Sequence, residues 1–169
     1  MNQSTAPAPA TLFVALLYPK IDPADCVRAL VELFGPVAGR SPGYLMSKFS
    51  RYYEREMGSD LQKEFLAFER PVAMDRLARS KLATHELERK FLSVSGGRTF
   101  NIDPGLVTGY SVILATSKNH AHRIYLGDGV FAELTLVFRN RQFHSLPWTY
   151  PDYCAPLALR FFAGIRAKP

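Results

Sequence analysis

Charged and amide side chains gather between Arg98 and Tyr153, in a stretch that otherwise has the composition of buried sheet. Packing alone rarely requires such side chains within a sheet, so this stretch is the candidate functional segment. Arginine and lysine bind phosphate oxygens, whereas carboxylates bind divalent ions or act as general bases. Residues with suitable side chains are Arg98, Asn101, Asp103, Lys118, Asn119, His122, Arg123, Glu133 and Asp152. Together they predict a site for a small phosphorylated or nucleotide-like anion.

Each residue type has a role in this hypothesis. The ligand-binding residues are Arg98, Asn101, Lys118, Asn119, Arg123 and Tyr150. The catalytic candidates are Asp103, Glu133 and Asp152 as metal ligand or general base, and His122 as general acid. With a divalent metal as cofactor, such a group suits phosphoryl or phosphodiester chemistry.

A purely structural interpretation of the same residues stays open. In it Asp103 caps a turn, and Lys118 and Asn119 lie on a solvated loop. Arg123 and Glu133 then form an ordinary cross-strand ion pair. The sequence does not decide between the two interpretations, because spacing alone does not show that the side chains converge.

Two smaller groups could bind a metal. His120 and His122 would place both rings on one face of a strand, although a third ligand must come from elsewhere in the fold. Glu54 and Glu56 would share one face of another strand and could hold a metal bound to a polyphosphate. The alternatives are a polar loop for the histidines and a solvated edge strand for the glutamates.

The C-terminal third favours a competing hypothesis, in which the protein is a non-catalytic module that binds RNA or a protein partner. From Lys118 onward the chain has seven Lys and Arg residues against three Asp and Glu residues, and Trp148 and Tyr150 add aromatic rings. Aromatic side chains interleaved with arginine can stack on bases and hold phosphates. The hypotheses differ in geometry: an enzyme needs its carboxylates inside a pocket, whereas a binding module needs an open basic face.

Composition excludes several classes of protein. The 169 residues, 47% of them hydrophobic, suit one domain, and the formal charge of +6 favours anionic ligands weakly. Cys26 and Cys154 have no metal-ligand spacing and indicate a reducing compartment. Phosphate-binding P-loop, dinucleotide and nucleophile-elbow motifs do not occur. We expect a cytoplasmic protein without a membrane partner, and a disordered leader over residues 1–10 before a single domain over 11–169.

The first part of the domain has the pattern of a ferredoxin-like plait. Residues 11–18 form a continuous apolar run typical of a buried strand, and Asp22 and Pro23 begin a helix that ends at Gly35. Residues 44–57 and 61–72 are predicted to pair as a hairpin, and 74–92 form a helix. A strand over 98–102 completes the order βαββαβ. We therefore predict an α+β fold with an antiparallel sheet.

Hairpins and a short helix are predicted to extend this core. Asp103, Pro104 and Gly105 have the composition of a turn, and the later strands are predicted over 110–116, 122–126, 130–138 and 142–146, before a helix over 156–165. A three-residue loop at Gly127–Gly129 would put Leu126 opposite Val130. It would also put Arg123 opposite Glu133, with the apolar faces in agreement.

Several motifs in unbroken order resemble a known bacterial family. They are FSRYYEREMG (49–58), NIDPG (101–105), SKN (117–119), HRIYL (122–126), AELTL (132–136) and WTYPDY (148–153). The family they resemble is the domain of unknown function numbered 4416, and the match covers nearly the whole chain after the leader. The resemblance implies a small cytoplasmic bacterial protein and carries over no catalytic residue. Leu106 departs from the pattern, which more often has tyrosine at that position.

Overall fold

A large antiparallel sheet organises the fold in the computed structural model, which describes residues 5, 7–94 and 96–166. Its strands in the described residues are β1 (Thr11–Tyr18), β2 (Val37–Arg40), β3 (Tyr44–Leu45), β4 (Gln62–Phe68), β5 (Asn101–Val107), β6 (Ser111–Thr116), β7 (Arg123–Gly127), β8 (Val130–Arg139) and β9 (Gln142–Ser145). The helices are α1 (Ala24–Phe34), α2 (Glu54–Met57), α3 (Leu77–Lys90) and α4 (Pro156–Gly164). Short 3₁₀ helices occur at Met46–Lys48, Met74–Arg76 and Pro151–Cys154.

The strands follow the order β2-β4-β1-β5-β6-β8-β7, with β3 paired to β4 and β9 paired to β8. Strand β1 is central because it is apolar throughout, with seven of its eight residues buried. Its alternate side chains face two cores. One core, which includes Leu12 and Leu16, packs against α1 and α3, and the other, which includes Phe13 and Ala15, packs against α4. The predicted α+β class with an antiparallel sheet is confirmed.

The long strand predicted over residues 44–57 is wrong beyond Leu45. Only β3 is extended, and it pairs with β4 as Tyr44↔Lys63 and Leu45↔Gln62. Three of the aromatic residues that favour a strand, Tyr44, Phe49 and Tyr53, pack instead on a small core that includes Met46 and Met57. Glu54 and Glu56 consequently lie in the first turn of α2 and not on one face of a strand. Strand β2 was missed because its glycine and neighbouring proline have the composition of a turn.

The predicted turn at Asp103–Gly105 is also wrong, because these residues lie in the middle of β5. Strand β5 pairs with β1 along its whole length but with β6 only from Gly105 to Val107. Proline has no backbone N–H group to donate to a neighbouring strand. Pro104 is tolerated because β5 does not pair with β6 at this position. A Cβ on Gly105 would come within 2.5 Å of the Phe13 ring and 2.7 Å of the Ile113 carbonyl oxygen. Close approach of neighbouring groups, and not a turn, explains this glycine.

The β7–β8 hairpin confirms the predicted pairing of Arg123 with Glu133, next to which Ile124 pairs with Ala132. Its loop is shorter than predicted, because Gly127 and not Leu126 pairs with Val130. Asp128 and Gly129 form a two-residue turn with φ values of 51° and 75°. A bulge between Tyr125 and Gly127 absorbs the extra residue and preserves the register of the rest of the strand.

The described residues cover the two ends of the chain only in part. Residues 1–4 and 6 of the predicted leader lie outside them, while Ala10 is buried and pairs with Val72 just before β1. In the part of the chain that the structure describes, the helices lack the length and apolar character needed to span a bilayer.

Candidate functional site

The candidate site is a cleft that begins where β5 and β6 separate. Beyond Gly105 and Leu114 the two strands no longer pair, and β6 continues alone along β8 through Ala115 and Thr116. Side chains of α3 occupy the open edge of β5. Glu88 Oε1 accepts a hydrogen bond from the Ile102 amide at 2.6 Å, and Lys81 Nζ donates to the Ile102 carbonyl at 3.1 Å. The helix thus satisfies the backbone groups that a neighbouring strand would otherwise bind.

The cleft has a volume of about 510 Å³ and brings together most of the predicted site residues. Those that line it are Arg98, Asn101, Asp103, Lys118, Arg123, Glu133, Tyr150 and Asp152. Five basic side chains line the cleft against three carboxylates, because Lys63 and Lys81 join the predicted arginines and lysine. The side chains that line the cleft therefore carry a net positive charge.

Three ion pairs, one for each carboxylate, lie on the walls of the cleft. Lys63 Nζ is 2.5 Å from Asp152 Oδ2, Lys81 Nζ is 2.7 Å from Asp103 Oδ1, and Arg123 Nε is 2.8 Å from Glu133 Oε2. Asn101 Nδ2 also donates to Asp103 Oδ2 at 2.7 Å. Burial by itself raises the pKa of Asp103, but the Lys81 ammonium and the Asn101 amide outweigh it, so the pKa is lowered.

Two carboxylate oxygens in the cleft are buried without a hydrogen-bond partner among the described residues. They are Glu133 Oε1 and Asp152 Oδ1, on residues that are each only 1% exposed. The second oxygen of each carboxylate is held firmly: Tyr44 donates to Asp152 Oδ2 at 2.9 Å, and His122 Nε2 lies 3.1 Å from Glu133 Oε2. Native interiors rarely leave such acceptors unsatisfied, so these two positions require an explanation.

The basic side chains at the mouth of the cleft, Arg98 and Lys118, come from two different segments. Arg98 binds Glu56 through Nε and Nη2, at 2.6 and 2.8 Å, and donates from Nη1 to Asn101 Oδ1 at 2.7 Å. The exposed Lys118 donates to the Tyr52 hydroxyl at 2.8 Å, and this contact lowers the pKa of Tyr52. Among the described residues Lys118 has no carboxylate partner, so its charge is available to a ligand.

The WTYPDY segment is fixed to a bulge in β8. Ile113 pairs with Leu134 and Val112 with Leu136, so Thr135 is the extra residue. The freed carbonyl groups accept hydrogen bonds from the segment: Trp148 Nε1 donates to Leu134 at 2.7 Å and Thr149 Oγ1 to Thr135 at 2.5 Å. This anchoring places Tyr150 and Asp152 on the wall of the cleft.

The structure separates two predicted residues from the cleft. Asn119 is exposed on the loop before β7 and does not line the cleft. His122 stacks on Trp148, with ring centroids 5.0 Å apart, and reaches the site only through Glu133. His120 stacks on the other side of His122 at 5.8 Å. In the described residues no group of three or more His, Cys, Asp or Glu side chains is placed to hold a metal ion.

Lys63 and Lys81 were missed by the sequence interpretation. Lys63 lies on the face of β4 that also carries Phe65, and Lys81 lies on the buried stripe of α3 with Leu77, Thr84 and Glu88. The signal that could have found Lys81 is its spacing, since positions 77, 81, 84 and 88 share one helical face. A buried lysine on such a face requires a carboxylate partner, which points toward Asp103.

The chain belongs to the family described as Domain of unknown function (DUF4416), whose model matches residues 8–168. No curated protein and no solved structure matches it. The family resemblance noted from the motifs is thereby confirmed, and any function must be argued from the site itself.

Proposed function

We propose that this protein binds a small phosphorylated or nucleotide-like anion in the cleft between β5 and β6. The observation that carries the proposal is the convergence of five basic side chains on one cleft, with Lys118 at its mouth free of any described carboxylate partner. Charge-assisted hydrogen bonds from lysine and arginine are the usual way in which proteins hold phosphate.

The arrangement of charge favours the phosphate at the mouth. Inside the cleft, Lys63, Lys81 and Arg123 are each balanced by a carboxylate. Further out, the partly exposed Arg98 is paired with Glu56, so the positive charge without a carboxylate partner among the described residues is that of the exposed Lys118. An anionic group gains most where the charge is not already neutralised and where less desolvation is required.

Aromatic side chains extend the proposal to nucleotide-like ligands. Phe49, Tyr52, Tyr53 and Tyr150 line the same cleft as the basic residues, and the Tyr52 ring is 67% exposed. Exposed aromatic rings near a phosphate site offer a stacking surface for a base. The volume of about 510 Å³ lies within the usual range for small-molecule sites.

Metal-dependent phosphoryl or phosphodiester chemistry is the reaction that such a site suits, with Asp103, Glu133 and Asp152 as the available carboxylates. Each is already paired with a basic side chain, so phosphate oxygens of the ligand would have to complete the coordination of a metal ion. The binding proposal itself does not depend on a metal.

The alternative of an RNA-binding module is less well supported. It needs arginine and aromatic side chains across an open face, whereas three carboxylates and five basic side chains here line a cleft. Trp148, the aromatic residue best suited to stacking on bases, is engaged with His122 and the Leu134 carbonyl.

The strand order β2-β4-β1-β5, with α1 and α3 on one face, supports a narrower description of the fold as well. We propose that β1, α1, β2, β4, α3 and β5 form a ferredoxin-like core, to which the later hairpins and α4 are added.

The test of the binding proposal is calorimetric titration with pyrophosphate and ATP, each with and without Mg²⁺. Lys118→Gln should weaken binding of both probes about tenfold or more, because a charge-assisted hydrogen bond is lost. Lys20→Gln is the matched control, since Lys20 is exposed, lies outside the cleft and carries the same charge. The proposal fails if neither probe binds the unmodified protein, or if both variants bind as the unmodified protein does.

A further inference from the structure

Glu133 Oε1 and Asp152 Oδ1, which have no hydrogen-bond partner in the described part of the chain, indicate which groups a ligand carries besides its phosphate. Both are buried, and both belong to residues that line the cleft. Each carboxylate is fixed through its other oxygen, by Arg123 in one case and by Lys63 and Tyr44 in the other. The free acceptors are therefore held in place before any ligand arrives.

In the absence of a metal ion, the partners that these oxygens lack are hydrogen-bond donors. A carboxylate paired with a basic side chain only accepts hydrogen bonds, so a phosphate oxygen cannot satisfy it. The candidate donors on a small ligand are hydroxyl and ammonium groups. Because basic side chains outnumber carboxylates around the cleft, a cationic ammonium group is disfavoured there and a neutral hydroxyl group is not.

We infer that the ligand is a phosphorylated polyol, such as a sugar phosphate or a ribonucleotide, whose hydroxyl groups donate to Glu133 Oε1 and Asp152 Oδ1. The inference rests on the proposed binding function and adds the substrate class and the direction of binding. The phosphate lies toward the exposed Lys118, and the hydroxyl groups lie toward the two residues that are each 1% exposed.

The test compares three probes on the unmodified protein by calorimetry in a buffer containing a chelator: ribose 5-phosphate, pentyl phosphate and phosphoethanolamine. Pentyl phosphate has the phosphate and the chain length but lacks the hydroxyl groups. We expect ribose 5-phosphate to bind at least about tenfold more tightly, because a site built around a hydroxyl group rejects an analogue without it.

Two variants connect this preference to the two oxygens. Glu133→Gln and Asp152→Asn replace the free oxygen by an amide NH₂ group, while the amide oxygen can keep the existing donors. Each should reduce the preference for ribose 5-phosphate over pentyl phosphate about tenfold, and this ratio cancels the effect that the lost negative charge has on both phosphates. Glu64→Gln is the control, because Glu64 is equally buried but lies outside the cleft, and it should keep the preference.

The outcomes separate this inference from the binding proposal. If pentyl phosphate binds as tightly as ribose 5-phosphate, the hydroxyl inference is wrong while anion binding stands. Tighter binding of phosphoethanolamine would show that the donors are ammonium groups, and a preference that requires added Mg²⁺ would assign the oxygens to a metal. Absence of binding by every probe overturns both statements. The probe comparison needs no variant, so it decides the matter even if a substitution prevents folding.

Discussion

Two consecutive residues of β4, Lys63 and Glu64, belong to two clusters that have the same kinds of side chain but differ in their hydrogen bonds. Glu64 is buried and held by Arg40 and the Tyr18 hydroxyl, whereas Lys63, on the opposite face, holds the buried Asp152 together with the Tyr44 hydroxyl. Each cluster contains one carboxylate, one basic side chain and one tyrosine. In the Glu64 cluster both carboxylate oxygens have partners, whereas in the Asp152 cluster Oδ1 has none among the described residues.

The geometry of the basic side chain explains why one cluster is complete and the other keeps an acceptor for a ligand. The planar fork of Arg40 reaches both oxygens of Glu64, while the single ammonium group of Lys63 reaches only one oxygen of Asp152. The Glu64 cluster is complete and raises the pKa of Tyr18 to about 12, through burial first and then through the neighbouring carboxylate. The Asp152 cluster keeps an acceptor that a ligand can use.

The largest expected effect is on stability, and it compares the two carboxylates directly. Glu64→Gln places an amide NH₂ group against the Arg40 fork and should lower the free energy of unfolding by about 3 kcal/mol. Asp152→Asn keeps the Lys63 and Tyr44 hydrogen bonds on its amide oxygen and loses only the counter-charge of Lys63, so it should cost about 1 to 2 kcal/mol. Urea denaturation measures both values. Equal losses in the two variants would contradict the distinction between the clusters.

A second prediction concerns the cleft face of the sheet, which depends on the close approach at Gly105. Gly105→Ala should lower the free energy of unfolding by about 2 kcal/mol, because the added Cβ meets the Phe13 ring and the Ile113 carbonyl. Gly164→Ala is the matched control, since nothing lies within 4 Å of its added Cβ. The control should be neutral or stabilising by up to about 1 kcal/mol. Thermal denaturation that ranks the variants in the opposite order would refute this account of Gly105.

The smallest expected effect is on how the free energy of unfolding changes at acid pH, and it comes from Asp103 in the cleft. The pKa of Asp103 is lowered in the fold, so its contribution is present above its unfolded pKa, about 4, and is lost as the pH falls through the folded pKa. Asp103→Asn should therefore flatten the decline in unfolding free energy below about pH 4. Urea denaturation across this range measures the slope. Asp25→Asn, at an exposed side chain on α1, should keep it; an unchanged slope in Asp103→Asn would contradict the prediction.

Local pattern predicted much of the secondary structure. The apolar run of β1, the capped start of α1 and the periodicity of α3 were sufficient to locate these elements. Asp22 Oδ1 accepts a hydrogen bond from the Ala24 amide, as its position before a proline suggested. Pattern is misleading where composition favours another structure: the aromatic residues before α2 are typical of a strand, and Asp103–Gly105 have the composition of a turn but lie within β5.

The sequence by itself determined which chemical groups are available and, through the alternation of apolar residues, that Arg123 lies opposite Glu133. Only the tertiary structure decided that β5 and β6 separate, and that Lys63 and Lys81 enter the opening to pair with Asp152 and Asp103. The physical reason is distance along the chain. Lys63 and Asp152 are 89 residues apart, and their contact depends on strand order and on the anchoring of the WTYPDY segment, which no local period encodes.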